Sequence, residues 1–393
     1  MKSRLLTVVS LALVAGCASE PARAPRTMDD LMAARRADDL ARANAARGLT
    51  EQLVQRAERK LKDAKPGAPR PTIDMLVVSG GGDWGAFGAG VLKGWGQVKG
   101  ELARPQFDAV TGVSTGAMIA PFAFLGDEDA IERIVRLYRN PKPDWTKTRG
   151  VAFFWPSNPS FYSMPGLERE MAETLDRPML ERIAAEQPNN RVLAVNTTNV
   201  DLGDSHPWDL IAEARAEISG GEPGRVQRIL LASAGIPAIF PAREIGIFLY
   251  VDGAIIGNIL YGARIEDEDS LAVLWRKRNP RTPVPRLRYW VIFNNQFRFP
   301  PQVTPDKWPD IMSRATIMAT QTGTVAAMRH LFARAELIKL KQKVDVEVRV
   351  MAVPESFVPS VPGTFQKEVM NALADLGEKM GADPASWRDT PPE

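Results

Sequence analysis

The feature that most constrains this chain is a continuous apolar run at residues 73–79 that stops abruptly at Gly80-Gly81-Gly82. A short apolar run bounded by glycines is the pattern of a strand buried on both faces, which needs helices on either side of a parallel sheet. The pattern recurs at 107–113, where an expected strand ends in Gly112-Val113-Ser114-Thr115-Gly116 and an apolar helix follows over 114–125. Further strands are expected at 191–199, 247–252 and 287–294, with helices at 84–98, 226–234 and 311–340. That alternation predicts an α/β fold of three layers, α/β/α, on a mainly parallel sheet. Valines at 344, 346, 348 and 350 alternate with charged residues, predicting a late strand with one wet face. A chain of 393 residues, 45% hydrophobic and 25% charged, is long enough to bury such a core.

The N-terminal stretch reads differently. Lys2 and Arg4 precede a largely apolar run at 5–16, too short to span a bilayer but suited to the core of a signal peptide. It ends in Val14-Ala15-Gly16-Cys17, which resembles the bacterial lipobox. That resemblance implies cleavage before Cys17 and attachment of lipid to its thiol and new amino group. Ala18 and Ser19 follow Cys17, which by resemblance to sorted lipoproteins favours the outer membrane of the cell envelope over the inner. With one cysteine the chain has no intramolecular disulfide. Residues 17–71 are expected to form a solvated, partly helical tether, because Leu31, Leu40 and Leu49 are too sparse for a wide buried stripe. Asp38 and Arg42 support an exposed helix there. Prolines at 66, 69 and 71 mark the boundary of the main α/β domain, expected over 72–385. The net charge of +3 falls by two with the leader, and no Lys/Arg stripe is present, so nucleic acid is not an expected partner.

Three segments carry chemistry. Gly112-x-Ser114-x-Gly116 has the form of a nucleophile elbow, in which glycines let a sharp strand-to-helix turn lift the serine hydroxyl out of the sheet. The plain alternative is a tight turn with an ordinary serine. The segment Gly80-Gly81-Gly82-Asp83-Trp84-Gly85 supports two functions. Gly80, Gly82 and Gly85 match a dinucleotide fingerprint, with Glu101 as the ribose acid. Consecutive glycines also present bare backbone N–H groups to an oxyanion. Asp252 ends an apolar strand before Gly253 and Ala254, and a carboxylate there is costly to bury without a partner or a task; capping its own turn is the competing role. Two histidines are available. His206 lies in a polar stretch expected to be a surface loop, and His330 falls inside a helical pattern, where a hydrolase triad does not place its histidine.

Together, Gly80-Gly81-Gly82-x-x-Gly85, Gly112-Val113-Ser114-Thr115-Gly116 and Asp252-Gly253-Ala254 resemble the motif blocks of the patatin-like phospholipase family, in the family's order. Residues 232–241 resemble a fourth block. The resemblance covers roughly 73–260. It implies a Ser–Asp dyad with Ser114 as nucleophile and Asp252 as base, an oxyanion hole in the backbone around Gly81, Gly82 and Asp83, and hydrolysis of lipid acyl esters. Trp84 stands where many members carry Arg or Lys. No His/Cys/carboxylate cluster has metal-ligand spacing, and neither a metal nor a cofactor is expected; the acidic run 266–269 reads as a solvated loop. The aromatic, proline-rich stretch 151–167 reads as an acyl-chain wall, a membrane-touching flap or ordinary packing. An acyltransferase on the same dyad and an inactive envelope scaffold are the competing functions; the sequence identifies no protein partner.

Overall fold

The computed structural model describes residues 23–65, 67, 69–150, 158–262 and 269–393. The expected leader and Cys17 lie outside the described residues, as do 151–157 of the aromatic stretch and 266–268 of the acidic run.

The first element, α1 (Met28–Asp63), is capped by Thr27 and Asp30 in a reciprocal box. Then come β1 (Thr72–Val78), α2 (Gly85–Trp95), β2 (Ala109–Val113), α3 (Thr115–Leu125) and α4 (Glu128–Arg139). A small hairpin, β3 (Lys147–Thr148) with β4 (Tyr162–Ser163), leads to α5 (Pro165–Thr174) and α6 (Arg177–Ala184). β5 (Val192–Asn199), β6 (Asp204–Asp209), α7 (Leu210–Ile218), α8 (Arg225–Ser233), β7 (Arg243–Ile245) and β8 (Phe248–Asp252) follow. The chain closes with α9 (Leu271–Arg278), β9 (Arg286–Phe293), α10 (Trp308–Gln342), β10 (Val346–Ala352) and α11 (Lys367–Gly381).

The main sheet runs β10-β9-β1-β2-β5-β8-β7, with β6 also on β5. The five strands from β10 to β5 are parallel, whereas β6, β7 and β8 pair antiparallel. Alternation along each strand divides the core. Leu76, Val78, Trp290 and Ile292 face the cluster that includes α2, α3, α8 and α11; Met75, Val77, Val291 and Val348 face the one under α1, α9 and α10. This is the three-layer architecture that the strand–helix alternation predicts. β10 has its expected asymmetry: Val346, Val348 and Val350 are buried while Glu347 and Arg349 are half-buried.

Two stretches depart from their expected form. The expected tether is, over its helical part, a docked element: Val54 and Ala57 are fully buried, and Arg56 and Lys60 reach the buried carboxylate of Asp108 at 2.8 and 2.7 Å. Its buried stripe is narrow and built from small residues (Ala46, Thr50, Val54, Ala57), flanked by half-buried Leu49, Leu53 and Leu61, a stripe confined to the second half of the helix. The loop expected around His206 is β6, held by six register pairs to β5 and anchored by the buried Trp208. Polar edge strands of this kind look like loops because one face is wet.

Candidate active site

The site forms where two strands run into each other. Val113, the last residue of β2, pairs with Asn196 of β5. Asp252, the last residue of β8, pairs with Thr197, the next residue along β5. β6 occupies the other edge of β5 over 194–199, so β2 and β8 share one edge and meet end to end. The residue after Val113 is Ser114, which therefore turns up beside Asp252.

The turn at Ser114 is sharp: φ is 55° and ψ −126°, a conformation that L residues rarely adopt. Its flanking glycines have steric causes. A Cβ on Gly112 would lie 2.2 Å from the carbonyl of Gly116, and one on Gly116 would lie 2.3 Å from the carbonyl of Val78. The Ser114 amide donates to Ser233 Oγ at 2.9 Å. Ser114 Oγ donates to Asp252 Oδ2 at 2.7 Å, and both residues are buried. Asp252 Oδ1 accepts the Ala254 amide at 2.8 Å, while its carbonyl accepts from Thr198 Oγ1. Burial pushes the Asp252 carboxyl up to about 7, against the opposing pull of the Ala254 and Ser114 hydrogen bonds. Gly253 is needed because a Cβ there would lie 2.4 Å from the Asn196 carbonyl.

The glycine loop packs directly on this pair. A Cβ on Gly80 would fall 2.8 Å from Ser114 Cβ and 2.3 Å from Asn258 Oδ1. The Gly80 amide donates to Asn258 Oδ1 at 2.8 Å, and Asn258 Nδ2 donates on to Thr324 Oγ1 of α10. From the other side, Asn294 at the end of β9 donates its side-chain amide to the Ser79 carbonyl and its backbone amide to Ser79 Oγ. The Gly85 amide turns back to the carbonyls of Gly82 and Asp83. Gly85 lies against Thr115 and Tyr138, leaving no room for a side chain. Asp83 is buried, accepts the Phe365 amide at 2.8 Å, and has its carboxyl raised by that burial. Trp84 packs edge-on against Phe357, with ring centroids 5.6 Å apart. Sequence reasoning gave no role to Ser233, although it lies in the fourth block, and missed Asn258 and Asn294, which no motif surrounds.

The other candidates lie elsewhere. His206 Nδ1 is 3.1 Å from Asp38 Oδ1, and its ring packs on Trp208. His330 Nδ1 meets the Tyr261 hydroxyl at 2.7 Å. Neither histidine bonds to Ser114 or Asp252. Glu101 pairs with Arg286, the first residue of β9, at the end of the sheet remote from the glycine loop. The dinucleotide geometry is therefore absent: the ribose acid and the glycines lie at opposite ends of parallel strands. Of the aromatic stretch, Phe161 and Tyr162 are described. Their amides pair with the carbonyls of Ala238 and Ile239 in the fourth block, and Tyr162 lies near Phe240.

A comparison with curated proteins returns no match. Among solved structures, the crystal structure of VipD from Legionella pneumophila is similar at 10% sequence identity and a TM-score of 0.36, over 82% of this chain and 68% of that one. Residues 76–263, which contain the glycine loop, Ser114 and Asp252, match the family model described as patatin-like phospholipase, so this stretch of the chain is a patatin-like phospholipase domain.

Proposed function

We propose that the chain hydrolyses lipid acyl esters through a Ser114–Asp252 dyad. The observation that carries this reading is the 2.7 Å hydrogen bond from Ser114 Oγ to a buried carboxylate whose proton affinity lies near neutrality. Asp252 Oδ2 takes the Ser114 proton as Oγ attacks the ester carbonyl carbon. The tetrahedral oxyanion accepts hydrogen bonds from the backbone around Gly81, Gly82 and Asp83, at the start of α2, where the helix dipole favours negative charge. Gly80 and Gly85 serve the loop's shape, since their amides are bonded to Asn258 and to the loop's own carbonyls. Collapse breaks the ester C–O bond, and the leaving alcohol takes the proton from Asp252. Water, deprotonated by the same carboxylate, then attacks the acyl-enzyme and releases the fatty acid. Labelling with a fluorophosphonate tests the reading: the wild type takes the label at Ser114 and Ser114→Ala takes none. A label elsewhere in the wild type would move the nucleophile.

The reading includes anchoring to a bacterial envelope membrane, the outer one, through lipid on Cys17. Metabolic labelling with a palmitate analogue tests this separately, with label expected on the wild type and lost in Cys17→Ser.

A further inference from the structure

The first third of α10 is amphipathic in the wrong sense for a water-facing helix. At 100° per residue, positions 308, 311, 312, 315, 318 and 319 fall within an arc of roughly 120°. They are Trp, Ile, Met, Ala, Met and Ala. Trp308 is 67% and Met312 59% exposed, and Ile311 and Met318 are exposed as well. The residues that bury further along the helix, among them Gln321, Thr324 and Met328, point about 150° away. The apolar arc thus faces away from the core; Asp310, Ser313 and Arg314 lie off it, as does the exposed Ile317.

Where the helix stands matters as much as its pattern. Gln321 donates to the carbonyl of Gln296, just past the end of β9, and Thr324 bonds to Asn258 under the glycine loop. The C-terminal end of α10 returns to the start of β10, at the opposite end of the sheet. Residues 308–320 extend the helix roughly 20 Å beyond Gln321, in the direction away from β10, with Arg314 bonded to the Pro300 carbonyl. The N-terminal segment reaches the end of the sheet that carries Ser114. Arg23 grips Asp201 at 2.7 and 2.8 Å and the Ile247 carbonyl at 3.1 Å, just beyond the last residue of β5. The expected anchor, Cys17, is six residues before it.

We propose that this face of α10 lies in the interfacial layer of a phospholipid bilayer and holds the catalytic end of the sheet against it. The proposal rests on the lipid acyl hydrolase reading for its purpose. Its occupant follows from chemistry on the page. An exposed Trp flanked by Ile and Met suits the boundary between headgroups and acyl chains. The face shares a helix with a partner of the glycine loop, and Arg23, six residues after the expected lipid anchor, is held at the same end. A bilayer satisfies all three at once.

The test uses the full chain carrying Cys17→Ser and Met312→Cys, labelled at residue 312 with an environment-sensitive fluorophore. Mixed phosphatidylethanolamine–phosphatidylglycerol vesicles should shift its emission to the blue, whereas a label at exposed Asp39 should not move. In parallel, Ile311→Asp with Met312→Asp should slow turnover of vesicle phospholipid at least about tenfold, because each apolar side chain denied its apolar phase costs more than a decade in affinity. Turnover of a soluble nitrophenyl ester should stay unchanged. Undiminished vesicle turnover, or a label that stays in water, overturns the proposal. A blue emission already present without vesicles assigns the face to a second copy of the chain and overturns it too. If the label shifts but the wild type turns over neither ester, docking stands and the hydrolase reading falls.

Discussion

The amide of Ser114 donates to Ser233 Oγ at 2.9 Å, and that hydroxyl donates in turn to the Asn196 carbonyl at 2.6 Å. One fully buried side chain thus ties the backbone of Ser114 to the strand that also positions Asp252. Removing the hydroxyl leaves a buried N–H and a carbonyl without this partner, a loss of about 1–3 kcal/mol. Ser233→Ala should therefore lower the unfolding free energy by that amount and reduce kcat with little change in KM. Denaturant unfolding and steady-state kinetics on the variant check both parts. An unchanged kcat with reduced stability would leave Ser233 a purely structural residue.

The strain at Ser114 makes a second, separable prediction. Ser114→Ala and Ser114→Gly both lose Oγ and should both be inactive, but glycine adopts φ 55° and ψ −126° without steric penalty. Ser114→Gly should therefore be the more stable of the two by about 1–3 kcal/mol, less the entropy that glycine loses on folding. Equal melting temperatures would mean that the turn stores no strain.

Asp252 couples activity and stability to pH in opposite directions. Its folded-state pKa is raised from 3.8 to about 7, so the unfolded chain ionises this group first. Between about pH 4 and 7 the unfolded state binds fewer protons, and stability falls as pH rises, by a total on the order of 4 kcal/mol from this group. Activity through the proposed dyad moves the other way, since there only the carboxylate accepts the Ser114 proton, and kcat/KM should climb through a midpoint near 7. Asp252→Asn keeps an acceptor for the Ala254 amide and a donor toward Ser114 Oγ, so it should fold. It should be inactive, more stable than the wild type at pH 8, and free of that portion of the pH slope. Thermal melts from pH 4 to 8 on both proteins decide.

The histidines give the contrasting result. His206 packs on Trp208 and His330 meets Tyr261, both away from the dyad. His206→Ala and His330→Ala should each keep kcat within about threefold of the wild type, whereas loss of a triad histidine costs several powers of ten. A folded but dead His330→Ala enzyme would replace the dyad with a triad.

Ser114, Asp252 and the glycine loop were legible because each sits where an apolar strand meets glycine, and the cause is local: backbone crowding at a turn. The residues that hold them were not legible, because their partners are remote in the chain. Gly80 and Asn258 are 178 positions apart, Ser114 and Ser233 are 119, and Ser79 and Asn294 are 215. A polar residue such as Asn258 or Asn294 has no period and no spacing to betray its partner. The mainly parallel sheet followed from strand–helix alternation, but the antiparallel return of β8 did not. That reversal is what brings Asp252 head-on to Ser114, so the decisive topological step was the least visible one. The docking of α1 was hidden for another reason: its apolar stripe, from Leu49 through Leu53 and Val54 to Leu61, occupies only the second half of the helix, and the ionic anchor of Arg56 and Lys60 on the buried Asp108 has no sequence signature.

Asn258 is the strongest test of whether the glycine loop is held in shape for catalysis. Its side chain accepts the Gly80 amide and donates to Thr324 Oγ1, and a Cβ on Gly80 would already collide with its Oδ1. The asparagine therefore fixes the height of the loop over Ser114 while α10 fixes the asparagine. Asn258→Leu has similar volume but no hydrogen bonds, so it leaves the Gly80 N–H buried and unpaired, and the loop must rotate to find another acceptor. Donors that move by even a fraction of an ångström lose their aim at an oxyanion, and loss of one such donor costs about 10²–10³ in kcat. Asn258→Leu should lower kcat on a short-chain nitrophenyl ester by at least about tenfold while fluorophosphonate still labels Ser114, more slowly. Thr324→Val removes only the far end of the relay and should cost less than Asn258→Leu. Asn258→Asp restores the acceptor and should recover part of the loss below the pH at which a second buried carboxylate ionises beside Asp252. A full rate in folded Asn258→Leu would show that the loop keeps its shape without this relay, and that Asn258 only fills space.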